Sequence, residues 1–174
     1  ENNEFLNTFV DAIAHLQTEK IAFLRGLARD DLQKAFAYFS EQGISDDNLI
    51  LELQEEFSQE RLLLIDGKSI TPEKQQHLNS LESPHNDYRA VFAVDMLNEG
   101  WDVLNLFDIV RLYDTRDARG TRPGKTTMQE AQLIGRGARY FAFNDPNKPE
   151  KMGMRKYDDD MDNPLRVIEK LHYH

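Results

Sequence analysis

Apolar residues recur at helical spacing through the first 60 positions of the chain. Phe5, Phe9 and Ile13 are each four residues apart, which places them on one face of an α-helix. Stripes of aliphatic and aromatic side chains of this kind are typical of a protein core. We predict four helices, with apolar faces formed by Phe5, Phe9, Val10, Ile13 and Leu16, by Ile21, Leu24 and Leu27, by Leu32, Phe36 and Phe39, and by Leu49, Ile50, Leu53 and Phe57.

Polar residues mark the ends of the third and fourth predicted helices. Asp30 or Asp31 is suited to cap the third helix, because a short carboxylate side chain can accept a hydrogen bond from a free backbone N–H. The same helix is predicted to end near Gly43, since glycine readily adopts the left-handed conformation that closes helices. Ser45 is the predicted cap of the fourth helix.

From residue 61 onward the pattern changes to short apolar runs. Residues 61–67, with the sequence RLLLIDG, are typical of a parallel strand that is buried on both faces. Similar runs predict strands at residues 88–94, 109–113 and 139–143. Strands that alternate with helices indicate an α/β fold whose parallel sheet is covered on both faces. The helices are predicted to begin at Thr71-Pro72, at the T-x-x-E capping box of Thr127 and Glu130, and at Asn163-Pro164, the last two running toward Gly135 and through Leu171.

Size and composition narrow the class of protein. The 174 residues have room for one ordinary domain, and the chain, which begins with Glu1, is expected to be a fragment of something longer. No apolar run approaches the roughly 20 residues that cross a bilayer, so no membrane contact is predicted. The absence of cysteine excludes disulfides and thiolate metal sites and is compatible with a cytoplasmic location. A net charge of −10 confines any DNA contact to a small face.

Residues 94–103, with the sequence VDMLNEGWDV, carry the first candidate for chemistry. An apolar strand runs here into a polar turn, at the carboxyl end where open α/β sheets bind ligands. Gly100 would let the backbone approach a phosphate, and Asp102 would accept a hydrogen bond from a ribose hydroxyl. Taken alone, the stretch fits an ordinary strand-to-helix turn with a surface aspartate better than a nucleotide site.

Residues 132–139, with the sequence QLIGRGAR, carry the second candidate. Arg136 and Arg139 are three residues apart at the end of a predicted helix, with Gly135 and Gly137 clearing space around them. Guanidinium groups stay charged and bind phosphate oxygens in a fork. Taken alone, two arginines paired with surface carboxylates would explain this stretch as well.

Together the two stretches resemble the fifth and sixth motifs of superfamily 2 helicases in order and separation. More narrowly, VDMLNEGWDVLNLFDIVRLYDTRDARG followed by KTTMQEAQLIGRGARYFAF resembles the Res subunit of type III restriction enzymes. The tail RKYDDDMDNPLRVIEKLHYH is similar to the continuation of that family beyond its motor. The resemblance is close over residues 88–174 and loose over the helical first third. Departures from the family pattern stand at Val94, where many relatives have threonine, and at Leu133, where some have arginine.

The resemblance implies a three-layer RecA-like domain with a parallel sheet at residues 61–174, preceded by a helical insertion at residues 1–60, in a single domain overall. It implies an ATP-dependent DNA translocase and endonuclease, of which this piece alone is inactive. Its implied ligand is ATP with Mg²⁺, the magnesium ligands lying in a first motor domain. Its implied partners are double-stranded DNA, the first RecA-like domain and nuclease domain of the same chain, and a methyltransferase (Mod) subunit. The resemblance further implies that Gly100 and Asp102 contact the nucleotide. It implies that Arg136 and Arg139 face the γ-phosphate, with Gln132 beside them.

Three weaker features have plainer explanations. Residues 120–126 lack the spacing of a phosphate-binding loop, having three residues between the glycines instead of four. Asp158, Asp160, Asp162 and Glu169 follow a calcium-loop spacing, but Asn163 replaces the required glycine, and no metal site is predicted. A basic island that could touch DNA phosphates, or form a mobile solvated loop, consists of Arg116, Arg119, Arg122 and Lys125.

Two alternatives to the Res subunit remain open on the sequence. One is the motor domain of another superfamily 2 DNA helicase. The other is a non-catalytic RecA-like interaction domain, against which the paired arginines argue. A further hypothesis is that the long helical first third is a docking surface for the methyltransferase subunit, which deletion of residues 18–57 would test.

Overall fold

The computed structural model describes the chain in two compact units. The first comprises Glu1–His77 and Ser83–Met96, and the second comprises Leu78–Glu82 and Leu97–His174. Within the described part of the chain, no helix is both long enough and apolar enough to cross a membrane. The predicted division at residue 60 stays a prediction. The described residues are 2–66, 70–94, 103, 105–112, 118–119, 122–123, 125–137, 149–151, 154–155 and 157–174.

The first unit begins with four α-helices, as the hydrophobic pattern predicts. Their common core is formed by buried Ile21, Ala28, Phe36 and Ile50, against which partly buried Leu16, Phe39, Leu49 and Leu53 pack. The helices are α1 Asn2–Ala14, α2 Thr18–Leu27, α3 Asp30–Glu41 and α4 Asp46–Glu56.

Some residues predicted to lie in this core face solvent instead. Helix α2 buries Ile21, whereas Leu27 lies about 120° further around the same helix. The apolar stripe of α2 is therefore too wide for one buried face. The predicted core positions that are wrong are Phe5, Leu24, Leu27 and Leu32, which are 44%, 43%, 56% and 50% exposed.

Two helix ends in this unit are determined by a nearby capping side chain or a glycine. The Ser45 hydroxyl accepts a hydrogen bond from the Asn48 N–H at 3.2 Å, which confirms the predicted cap. Gly43 has a φ of +70° just beyond α3, as predicted. The prediction of Asp30 or Asp31 as a cap is wrong, because α3 begins at Asp30 itself, and both carboxylates lie in its first turn, where the helix dipole favours negative charge.

A parallel strand pair completes the first unit. Strand β1, Leu62–Asp66, pairs with strand β2, Ala90–Val94, with Leu62 opposite Ala90. Leu63 and Ile65 in β1 are buried, which confirms the predicted strands at residues 61–67 and 88–94. Helix α5, Pro72–Asn79, follows β1 in sequence, and the Thr71 hydroxyl accepts from the Lys74 N–H at 3.3 Å, as predicted for this helix start.

One carboxylate connects α4 to both of these strands. Glu56 accepts a hydrogen bond from Arg61 Nη1 at 2.6 Å and another from Arg89 Nε. The Arg89 N–H also donates to the Arg61 carbonyl at 2.8 Å, where the strand pair begins. The hydrogen bond and charge of Arg89, with a smaller contribution from Arg61, lower the pKa of Glu56 below its usual value of 4.5.

The second unit contains one long helix and short strands. Strand β3, Asp108–Ile109, pairs in parallel with β6, His172–Tyr173, and the ladder continues through the His174 N–H, which donates to the Ile109 carbonyl at 2.9 Å. The other elements are the antiparallel strands β4 Ala118–Arg119 and β5 Arg122–Pro123, helix α6 Lys125–Gly137, and 3₁₀ helices at Pro149–Lys151 and Pro164–Glu169.

Two strand predictions for this unit have different outcomes. Within the described residues 105–112, the strand expected at residues 109–113 is present as Asp108–Ile109. Val110 and Leu112 are 62% and 49% exposed, so the apolar run beyond Ile109 does not belong to a buried sheet. The strand expected at residues 139–143 lies outside the described residues.

The predicted last helix is wrong in type and extent. Asn163 caps it as expected, since its side-chain oxygen accepts from the Leu165 N–H at 2.9 Å. The turns after this cap are 3₁₀ and end at Glu169 instead of Leu171. Extended backbone comes next because the His172 N–H donates to the Phe107 carbonyl at 2.7 Å, a bond that requires strand geometry.

Candidate functional site

Two of the predicted site positions, Gln132 and position 136, lie on helix α6. Gln132 is exposed, whereas Leu133 and Ile134 are partly buried. Position 136 is one helical turn after Gln132, so the two positions share a face of the helix. Glu130 and Gly137 are seven residues apart and lie together on a different, packed face. Position 136 therefore shares a face of the helix with the exposed Gln132.

Glu130 joins α6 to the β3–β6 pair. Arg111 Nη1, just after β3, lies 3.2 Å from Glu130 Oε1, and the Tyr173 hydroxyl in β6 donates to the same oxygen. The side chains of Arg111 and Glu130 are only 17% and 10% exposed. The predicted capping box is wrong, because α6 begins at Lys125 and Thr127 lies within its first turn. Glu130 therefore makes tertiary contacts between the helix and the β3–β6 pair and does not cap the helix.

Gly137 allows the end of α6 to approach the chain closely. A Cβ atom at this position would lie 2.9 Å from both terminal methyls of Leu171 and 3.2 Å from Leu106 Cδ2. At Gly135, by contrast, nothing lies within 4 Å of such an atom. Gly137 therefore permits close packing of α6 against Leu171 and Leu106, and its predicted role of clearing space around the arginines stays a prediction.

The two histidines beside β6 form a small cluster with β3. The rings of His172 and His174 stack at 6.3 Å, and His174 Nε2 lies 3.0 Å from Asp108 Oδ1. Among the described residues, His172 Nε2 is buried without a hydrogen-bond partner. No group of three or more histidine or carboxylate side chains within the described ranges is arranged to hold a metal ion.

The acidic stretch with calcium-loop spacing serves local structure. Glu169 Oε2 accepts a hydrogen bond from the Tyr157 N–H at 3.3 Å. Asp160 accepts from the Asn163 amide at 3.0 Å, which supports the turn that precedes the 3₁₀ helix. These contacts give two of the carboxylates a structural role.

Part of the basic island forms a strand pair. Ala118–Arg119 and Arg122–Pro123 are antiparallel, with Arg119 opposite Arg122, and both the DNA contact and the mobile solvated loop stay predictions. Lys125 comes next as the first residue of α6. Four predicted site residues lie outside the described residues, namely Gly100, Asp102, Arg116 and Arg139.

Three residues of this site escaped prediction from the sequence, Arg111, Glu130 and Tyr173. Arg111 lies within an apolar run, Glu130 matches a cap motif, and Tyr173 lies two residues beyond the predicted end of the last helix. A charged residue inside an apolar run was the available signal, because such a residue usually has a buried partner.

Comparison with known proteins places similarity on the same part of the chain. The family model HI_1054_N, described as an N-terminal region, matches residues 126–174. Over 49 residues the chain is 57% identical to the "Probable type III restriction-modification enzyme HindVIP Res subunit" of Haemophilus influenzae, a stretch that covers 28% of this chain and 10% of that protein. A protein of the same organism described as uncharacterized is 51% identical over 49 residues, with the same coverage of 28% and 10%. No solved structure matches.

The family match coincides with α6 and the residues after it. Residues 126–174 include Gln132, Arg136 and Arg139, as well as the Glu130 and Tyr173 anchor. The chain spans about a tenth of the length of the curated relatives it matches. Over 49 residues, the chain is therefore similar to a protein named as part of a restriction system.

Proposed function

We propose that this chain is part of the second motor half of an ATP-dependent DNA translocase and endonuclease, the Res subunit of a type III restriction enzyme. The observation that supports this proposal most directly is the 57% identity to a Res subunit over 49 residues. The family match covers residues 126–137 of α6, where Gln132 and position 136 share one face. We propose a three-layer RecA-like fold for the complete domain, acting in the cytoplasm.

In this proposal ATP binds between this domain and a first RecA-like domain elsewhere in the full-length protein. Arg136 and Arg139 contact the γ-phosphate, and Gln132 lies beside them. Charge delivered in this way raises phosphoryl-transfer rates about 1,000- to 100,000-fold where arginine fingers have been measured. Gly100 and Asp102 contact the nucleotide. Mg²⁺, held by the first motor domain, neutralises charge on the phosphates.

The β4–β5 pair supports a DNA-backbone contact. Arg119 and Arg122 are register partners, and opposite residues of an antiparallel pair share one face. Like charges placed opposite each other repel, so a phosphate bound at this face would relieve the repulsion. We include Arg116 and Lys125, the neighbouring basic residues, in this surface.

The test is ATP hydrolysis by the full-length protein, with and without duplex DNA. We expect DNA-stimulated turnover that collapses in Arg136→Ala and in Arg139→Ala. Arg155→Ala is the matched control, because Arg155 is half-exposed and lies 3.9 Å from Asp158 in a surface pair. Turnover equal in all three variants would reject the proposal and favour a non-catalytic interaction domain.

The helical segment supports a second part of the proposal, docking of a methyltransferase subunit. Phe23 and Leu27, one turn apart on α2, are 62% and 56% exposed. Residues 1–60 hold thirteen Asp and Glu against four Lys and Arg, a net charge of −9 out of −10 for the chain. Such a surface repels DNA and suits a protein partner.

Substitution of exposed residues tests this docking more cleanly than deletion of residues 18–57. The deletion would remove Phe36 and Ile50 from the core of the unit. We expect Phe23→Ser combined with Leu27→Ser to abolish co-purification of the methyltransferase subunit, and Leu51→Ser on α4 to serve as an equally exposed control. Unchanged co-purification in the double variant would sink this part of the proposal.

A further inference from the structure

We infer that Glu130 is a positioning residue for ATP hydrolysis, setting the rotation of α6 and hence the place of position 136. The inference rests on the proposed function. In the proposed function, Glu130 contacts neither nucleotide nor DNA. It acts through the helix that carries the arginine.

The contacts of Glu130 fix α6 at a point between its ends. One carboxylate oxygen is shared by Arg111 after β3 and Tyr173 in β6, which are the two sides of a parallel pair. The backbone of Arg111 is itself held, because its N–H donates to the His174 carbonyl at 3.1 Å. The helix is therefore tied to both strands through one side chain.

A second contact fixes the carboxyl end of the same helix. Gly137 lies against Leu171 so closely that a methyl group would not fit without displacement. Glu130 and Gly137 share one face, so together they define which side of α6 is turned outward. Position 136 lies between these two contacts in sequence and about 100–120° around the helix from them.

A small rotation of α6 displaces the tip of an arginine side chain by a large distance. A helix with its side chains is about 10–12 Å across, so a rotation of about 20° moves a side-chain tip by about 2 Å. A misplacement of about 1 Å at a reacting group can lower the rate about 100-fold. Loss of the Glu130 contacts is therefore expected to affect the chemical step more than nucleotide binding.

The experiment measures kcat and KM for ATP in the full-length protein with duplex DNA. We expect Glu130→Gln to lower kcat by about 10- to 100-fold, with KM for ATP changed by less than about threefold. Tyr173→Phe, which keeps the ion pair, is expected to give a smaller loss. Glu150→Gln, an exposed carboxylate in the same unit, is the control and should match the parent protein.

A charge-swapped pair separates positioning from simple unfolding. Glu130→Arg combined with Arg111→Glu is expected to recover part of the kcat that either single change removes. A kcat loss that follows the fraction of unfolded protein and is not recovered by the swap would overturn the inference. So would unchanged kcat in Glu130→Gln and Tyr173→Phe while Arg136→Ala is inactive, a result that leaves the proposed function standing. A parent protein without DNA-stimulated turnover would overturn both.

Discussion

At the residue scale, Glu56 is a shared acceptor whose charge state matters to the fold. Two arginines from the starts of neighbouring strands converge on this carboxylate. Because they lower the pKa of Glu56, the ionised form is favoured in the folded state over the unfolded state. The contribution of Glu56 to stability is therefore present above pH 4.5 and is lost as the pH falls through the lowered folded pKa.

Replacement of Glu56 by glutamine tests this dependence. We expect the free energy of unfolding to fall by about 0.5–1 kcal/mol at pH 7, a small value because the side chain is 36% exposed and solvent screens its ion pairs. The difference from the parent protein should shrink as the pH falls below 4.5. Urea denaturation across this pH range measures it, with exposed Glu60→Gln as the control. A difference that grows toward acid pH would contradict the assignment.

At the element scale, the packing of α6 depends on one of its two terminal glycines. Gly137→Ala is expected to destabilise the second unit by about 1 kcal/mol, the lower end of the overpacking range, because the added methyl overlaps the flexible end of Leu171, which can shift. Gly135→Ala is the matched control and should stabilise by up to about 1 kcal/mol, since alanine is the better helix former and the space is open. Thermal unfolding of both variants gives the comparison. Equal effects at the two positions would refute the close packing of α6.

The sequence predicts those elements whose formation depends only on residues close by in sequence. The buried run in β1 and the Ser45 cap each require only local chemistry, and both are present. Strand β6 depends instead on β3, more than 60 residues earlier, and no local signal at residues 172–173 indicates that partner. The same limit hides Glu130, whose tertiary role requires Arg111 and Tyr173. The sequence predicts a helix before Gly135, but it does not indicate which residues hold that helix in place.

At the scale of the whole molecule, charge is distributed unevenly. Residues 1–60 account for −9 of the net charge of −10, which leaves the remainder of the chain nearly neutral. The basic residues near β4 and β5 thus lie in a part of the sequence where phosphate binding is not opposed by a large excess of carboxylates. This distribution favours DNA contact by the second unit and protein contact by the helical segment.

Salt dependence of DNA binding by the full-length protein tests that distribution. Each phosphate contact adds about 0.9 to the slope of log affinity against log salt concentration. Arg119→Ala and Arg122→Ala are each expected to reduce the slope by about 1 and to weaken binding to all duplex sequences alike. Lys20→Ala on exposed α2 should leave the slope unchanged. A reduced slope in the Lys20 variant alone would place the DNA contact on the helical segment instead.

The most direct test of the central claim is the single-turnover rate of hydrolysis of prebound ATP in the full-length protein with duplex DNA. Single-turnover conditions separate the chemical step from nucleotide binding and product release. For Arg136→Ala and Arg139→Ala we predict a rate at least about 1,000-fold below the parent, with ATP affinity reduced by less than about tenfold. A rate equal to that of the parent in both variants would contradict the claim that this chain supplies charge to the γ-phosphate.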